Sequence, residues 1–205
     1  NTFFEYLNEL QSKGLQVFVT SHSPTITAKS DVNNISILQR KQSIIQSFSF
    51  DELSEDDYPK ESKRHLRKFL DTTKAQLFFA NGVLLVEGVA EAIIRHILAK
   101  KFLTEISDLC KSGIELVNIG GVAFNHFGLL FNNDDERKRL LSKCAIITDS
   151  DPKDNGDISD RAQKAKDLEK HNLKVCLAPH TLEYDLFEQS EQNKTIMRDV
   201  YRKLH

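Results

Sequence analysis

Residues 144–154 read CAIITDSDPKD, an apolar run ending in carboxylates at Asp149 and Asp151, with Asp154 three positions further on. Such acids repel one another and are costly to hold at an apolar strand end without a counter-charge. Other acids fall in matching places. VLLVEG closes on Glu87 and Gly88, Glu91 follows one helical turn later, and CLAPHTLEYDLF carries Glu183 and Asp185 after another apolar run. One carboxylate after a strand is commonplace; several along one sheet edge call for a cation. Mg2+ or Mn2+ suits them, because hard ions take carboxylate oxygens and water and leave positions open for substrate phosphate. Alternation along an extended strand end would aim Asp149 and Asp151 the same way, to grip one ion or bridge two. Gly88 and the pair Gly120-Gly121 in LVNIGG allow backbone to approach a ligand closely. Taken singly, each acid is equally a solvated loop residue or helix cap. Glu91 suits the positive end of a helix, and Asp154 and Asp157 flank the turn signal Asn155-Gly156. A calcium loop of EF-hand type is disfavoured, since Lys153 stands where an oxygen ligand belongs.

The elements that must position these residues alternate from Asn81 onward. Strand GVLLVEG, helix 89–102, strand IELVNIGG, a helix near 122–131, strand CAIITDSD, helix 158–171 and strand KVCLAP follow in order. The strands are short, continuous apolar runs, as expected of parallel strands covered on both faces. The βαβαβαβ pattern predicts a layered α/β domain with right-handed crossovers, in which ligands bind beyond the carboxyl ends of the strands. Ahead of it, residues 2–13 have helical spacing and Gly14 ends that helix. LQVFVTS (15–21) reads as a buried strand, Ser23-Pro24 as an N-cap and first turn, and NISILQR and SIIQSFSF as two strands turning near Lys41-Gln42. An acidic loop, DELSEDDYPK, then leads into a basic helix over 61–80. The expected division is 1–50, a connector at 51–80, the α/β domain at 81–190, and a helical segment beginning at 191.

Composition excludes several classes. The 205 residues are 40% hydrophobic and 28% charged, ordinary for a soluble globular protein. No apolar run approaches a membrane span of roughly 18–20 residues, and no signal peptide is visible. The sequence starts at Asn1 in mid-pattern, so a fragment of a longer protein is expected. Among the three cysteines no CxxC or Cys/His spacing suggests zinc. Cys144 and Cys176 read as small buried hydrophobes, which fits a reducing cytoplasm. A net charge of −2 gives no global nucleic-acid signature, so such binding must use local patches or supplied cations. Lys60, Lys63, Arg64, Arg67 and Lys68 form one patch, equally readable as a solvated face, and Arg95 and Lys153 are further candidates for contact with a phosphate backbone. Thr148 and Ser150 read as structural. His96, His126 and His180 have no partner spacing that makes them ligands, and Tyr184 is not expected to form a covalent intermediate.

Taken in order, Glu87 in LLVEGVAE, then NIGG, then Asp149 and Asp151 in TDSD resemble a Toprim domain over roughly residues 81–190. That family is shared by primases, type II and IA topoisomerases and several nucleases. The resemblance implies that Glu87 is a general acid/base or metal ligand, that Asp149 and Asp151 hold metal, and that Glu91 is the second acid of the VEGxxE form. VFVTSHSPTI resembles the last core strand of ABC-type ATPases, with His22 as the switch histidine that senses the γ-phosphate of ATP. An ABC tail joined to Toprim resembles the OLD (overcoming lysogenization defect) family of nucleases, which includes the large subunit of Gabija-type phage defence. LFFANGVLLVEG and TLEYDLF also resemble this family and add Glu183 to the site acids.

The implied activity is DNA cleavage with Mg2+ or Mn2+, using two ions roughly 3.5–4 Å apart. Glu87 and Glu91 would serve the water side, and Asp149, Asp151 and Glu183 would anchor metal. The implied partners are DNA, further copies through the ATPase domain and a helicase-like protein, in the cytoplasm and off the membrane; ATP would serve the full-length protein only. The P-loop, signature motif and Walker B acids are expected upstream of Asn1, and a family lysine beyond His205. Two rivals stand: a non-catalytic Toprim module for oligomerisation or DNA clamping, and an aspartyl-phosphate phosphotransferase. The second fits poorly, because its acceptor Asp belongs early in the fold.

Overall fold

A computed structural model describes residues 2–102, 109, 111–121, 123–154 and 156–204. Thr2–Ser12 forms α1, and Gly14 follows it at φ +80°, a left-handed conformation that glycine adopts without a Cβ penalty. Residues 15–21 are irregular rather than a buried strand, and Phe18 is 83% exposed. An apolar run becomes a strand only where a neighbour takes up its N–H and C=O groups, and none of the described strands pairs with it. Pro24–Lys29 (α2) starts as expected, with the Ser23 hydroxyl accepting from the Ile26 N–H at 3.4 Å. Ser36–Lys41 (β1) and Ile44–Ser49 (β2) pair antiparallel across a turn that holds Gln42 at φ +54°.

The basic helix expected over 61–80 is broken. Lys60–Phe69 is α3, and Leu70 caps it in extended geometry. Asp71 then starts the one-turn α4 (Thr72–Ala75) by accepting from the Lys74 N–H at 2.8 Å. A short polar side chain that competes for backbone N–H groups favours such a restart. A 3-10 turn at Gln76–Phe78 leads on to the sheet.

Gly82–Val86 (β3), Val89–Phe102 (α5), Ile114–Asn118 (β4), Phe124–Gly128 (α6), Lys143–Asp149 (β5), Asp160–Lys166 (α7) and Leu173–Ala178 (β6) realise the alternation. The sheet is all parallel, in the order β4-β3-β5-β6. Leu182–Glu188 (α8) and Glu191–Leu204 (α9) follow. Helices α6 and α7 are shorter than expected, and Val122 lies outside the described residues. Beyond α7 the chain turns at Lys170–Leu173, where His171 sits at φ +50°. The sheet is covered unevenly: along the edge strand β6, Leu173 and Val175 are buried while Lys174 and Cys176 face out. Cys176 is therefore exposed, not the buried hydrophobe expected, because an edge strand with one uncovered face retains the polar alternation of period two. Cys144, on central β5, is buried as expected, and Cys110 lies outside the described residues.

One contiguous core joins both parts of the chain, from Val32, Phe48 and Phe50 through Leu66 and Leu77 to Leu85, Ile146 and Leu173. Phe50 is at its centre: its ring meets Phe48, Tyr58 and Phe78 edge-on at centroid distances of 5.1, 5.9 and 6.0 Å. Helix α3 is fastened to α6 by polar contacts. The Tyr58 hydroxyl donates to the His126 carbonyl, Ser62 Oγ lies 2.9 Å from His126 Nδ1, and His65 stacks on His126 at 4.2 Å. His126 thus holds structure together.

Candidate active site

The order β4-β3-β5-β6 sends the chain leaving β3 to one side and the chain leaving β5 to the other. A crevice opens beyond the carboxyl ends of two such strands, and these two carry the acids. Val86 pairs in register with Ile147, so Glu87 emerges beside Thr148 and one step before Asp149. The Thr148 hydroxyl, 4% exposed, donates to Glu87 Oε1 and orients that carboxylate. The Glu87 carbonyl accepts from the Gly121 N–H at 2.9 Å, binding the β4 loop to the β3 end. Gly121 (φ +126°) and Gly120 (φ +69°) hold backbone conformations that other residues resist. The Gly120 N–H donates to Asn118 Oδ1 at 2.8 Å, so both amides are engaged within the protein rather than presented to a ligand.

Asp149 ends β5 and accepts from the Leu182 N–H at the start of α8. Burial, followed by the charges of Glu87, Asp151 and Glu91, raises its carboxyl to about 6. Asp151 joins the group by a route other than strand alternation. It lies past the strand at φ +42°, ahead of Pro152. Ser150, 5% exposed, anchors the bend: its hydroxyl donates to the Pro179 carbonyl, its N–H reaches the Ala178 carbonyl at 3.0 Å, and its own carbonyl accepts from Ser159 at 2.9 Å. A non-glycine residue in the left-handed region is uncommon, and such strain concentrates at functional sites.

Glu91 stands in the first turn of α5 and folds back over Gly88. A Cβ on Gly88 would lie 2.9 Å from Glu91 Oε2, so glycine here makes room for a carboxylate. Gly88→Ala is expected to leave stability within about 1 kcal/mol, because the clash is with a flexible side-chain end. It should nonetheless displace the Glu91 carboxylate from its place over Gly88, and a melting curve with a crystal structure of the variant checks both halves.

Arg161 completes the group, and nothing in the spacing of the sequence announced it. It sits in the first turn of α7, which the Ser159 side chain caps through the Ala162 N–H at 3.2 Å. One of its terminal nitrogens contacts Asp151 Oδ2 and lies 3.3 Å from Glu87 Oε1. The remaining candidates are more scattered. Arg95 is half-buried, with its guanidinium pKa lowered first by burial and raised in part by Glu91, Cys176 and Asp149. Glu183 is exposed in the first turn of α8. Lys153 pairs with Asp160 at 2.7 Å. Lys63 donates to the Phe50 and Leu53 carbonyls, Arg67 pairs with Asp31 at 3.1 Å, and Arg64 is exposed on α3. His22 is exposed just before α2, and Asp154 lies in the exposed turn closed by Gly156 at φ +85°. His180 pairs with Asp185 at 3.2 Å and lies 4.5 Å from the Tyr184 ring. With Thr181, Pro152 and Asp151 these rings line an open cleft of about 380 Å³ beside the acids. The His96 side chain lies outside the described residues.

The donor chemistry fits a hard divalent cation: carboxylate oxygens from two strand ends, one of them held against its own ionisation first by burial and then by like charges. Glu87 and Asp151 close on Arg161, and among the described residues no three or more His, Cys, Asp or Glu side chains are grouped as they would be around a metal ion.

Residues 78–151 match the family described as overcoming lysogenization defect protein-like, TOPRIM domain. This segment is an OLD-like TOPRIM domain. The chain is also similar to the Old nuclease of Escherichia phage P2, 27% identical over 149 residues, which cover 72% of this chain and 25% of that protein. It therefore spans about a quarter of the length of that relative. Among solved structures, the C-terminal region of the OLD protein of Xanthomonas campestris pv. campestris overlaps 62% of this chain and 66% of its own, at 21% identity and a TM-score of 0.38. The same region phased with platinum gives 26% identity and a TM-score of 0.36, over 55% of this chain and 56% of its own. The TOPRIM match begins at the 3-10 turn before β3 and ends at Asp151, so it takes in Glu87, Glu91, Asp149 and Asp151 together.

Proposed function

We propose that this chain is the catalytic TOPRIM portion of a DNA endonuclease that depends on Mg2+ or Mn2+. The observation that carries the reading is the meeting of Glu87 and Asp151 on a single cation beside Asp149, at the strand ends where the sheet order reverses. Glu87, Asp149 and Asp151 would hold the metal, with Glu91 beside them and Glu183 as an outer ligand. Bound ions would activate water and relieve charge on the phosphodiester. Thr148 fixes the rotamer of Glu87, Ser150 fixes the bend that brings Asp151 inward, and the α8 N–H holds Asp149. Arg95, Lys153 and the basic face of α3 (Lys63, Arg64, Arg67) are the candidate phosphate-backbone contacts. The test is nicking of supercoiled plasmid by the full-length protein with Mg2+ or Mn2+. Nicking that persists without the Asp149 carboxylate would place the site elsewhere.

The occupation of the cup by Arg161 favours one alternative, a non-catalytic clamp or oligomerisation module, which predicts no nicking with either metal. In the full-length protein the reading includes an ABC ATPase, copies joined through that domain, a helicase-like partner and a role in phage defence or DNA processing in the cytoplasm. Among the described residues no helix is long and apolar enough to cross a membrane. His22→Ala in that protein is expected to lower ATP turnover severalfold with the circular dichroism spectrum unchanged, since an exposed side chain contributes little to folding. Unchanged turnover would remove His22 from the ATP site.

A further inference from the structure

The acidic cup holds a cation of the chain's own. Arg161 reaches Glu87 and Asp151 through one terminal nitrogen, while its Nε is buried and makes no hydrogen bond. Arginine–carboxylate pairs are frequently forked, two nitrogens on one carboxylate; here a single nitrogen is shared between acids from two strand ends. Its backbone is fixed, because the Ser159 N–H ties the start of α7 to the Ser150 carbonyl at 2.9 Å. Its side chain is 35% exposed, so an outward path lies open.

Resting on the metal-dependent reading above, we propose that Arg161 is the resident counter-cation of the acidic cup, a positioning residue that holds Glu87 and Asp151 together before metal binds and must swing outward to admit the ion. A divalent ion drawn to these carboxylates competes with the guanidinium for them, because two cations a few ångströms apart repel. Arginine keeps its proton throughout the working pH range. Displacement is therefore a competition between cations, and Arg161 sets a threshold on metal affinity. It also keeps the acids gathered, so that an entering ion meets an assembled site.

The experiment compares the full chain with Arg161→Met, which is similar in volume and uncharged, both stripped of metal. Mn2+ binding is read from the electron paramagnetic resonance of the free ion, and melting temperatures are taken with and without saturating Mn2+. The substituted protein is expected to bind Mn2+ about tenfold more tightly, to melt lower than the original when metal-free, and to melt with it when saturated. A structural ion pair alone would lower both melting temperatures and leave affinity unchanged or weakened, and that result overturns the proposal. Should Arg161→Met fail to fold, the Nε–H resonance of Arg161 in the original protein, assigned by its loss in Arg161→Lys, is followed during Mg2+ titration. It is expected to move to the position of a free arginine; an unmoved resonance overturns the proposal. If neither protein binds Mn2+, the metal-dependent reading falls and this proposal with it. If the original binds Mn2+, Asp149→Asn does not, and Arg161→Met matches the original, only the role of Arg161 is lost.

Discussion

Asp149→Asn is expected to abolish metal-dependent cleavage while making the metal-free protein more stable at pH 8. The loss of cleavage, by two or more orders of magnitude, follows from replacing a charged ligand with a weak neutral one at the centre of the acidic group. The gain in stability follows from the same electrostatics. The carboxyl of Asp149 titrates at about 6 instead of 3.8, first through burial, then through the charges of Glu87, Asp151 and Glu91. Between those values the folded chain holds a proton that the unfolded chain has released. Stability therefore falls as pH rises through that window and stays lower above it. Asn carries no charge to repel. After allowance for solvent screening at a partly exposed group, the expected gain is about 1 kcal/mol, or roughly 2–4 °C in melting temperature. The difference should vanish below about pH 4, where the native carboxyl is also neutral. Mn2+ affinity of the original protein should fall as pH drops below 6, because binding must release that proton. Plasmid nicking and a pH series of thermal melts check both halves. Loss of activity without the stability gain would mean that Asp149 is not repelled by its neighbours.

Phe50→Ala is expected to destabilise the chain by about 3–5 kcal/mol. Its ring is fully buried and meets three other rings, from β2, from the loop before α3 and from the turn before β3. No described neighbour can collapse into the space of a whole ring at the convergence of three segments. For a chain of this size the melting temperature should fall by roughly 10 °C. The manner of unfolding is the sharper readout. The core runs unbroken from Val32 to Leu173, so one cooperative transition should shift as a whole, by calorimetry and by circular dichroism alike. Two separate transitions, only one of them moved, would show that the β1-β2 hairpin and the parallel sheet fold independently.

The sequence by itself determined the order and type of the elements around the site. Four apolar runs of strand length alternate with helical stretches, and local periodicity with caps such as Ser23 and Ser159 needs no distant partner to be read. It also marked the candidate acids, because a carboxylate directly after a buried strand is conspicuous wherever the chain later goes. Local pattern failed where the outcome depended on neighbours. The run 15–21 is apolar enough for a strand, but it lacks a strand beside it. Cys176 sits in an apolar stretch, but its strand is at an edge with one open face. Asp151 was placed by an alternation that ends at Asp149; a left-handed bend anchored by Ser150 brings it inward instead. Only the tertiary structure decided that β3 and β5 are neighbours with connections leaving in opposite directions, which gathers acids 62 positions apart along the chain, Glu87 and Asp149, at one crevice. Arg161 was likewise decided there. A lone arginine in a polar helix carries no periodic signal, and its meaning comes from the two carboxylates it meets across space.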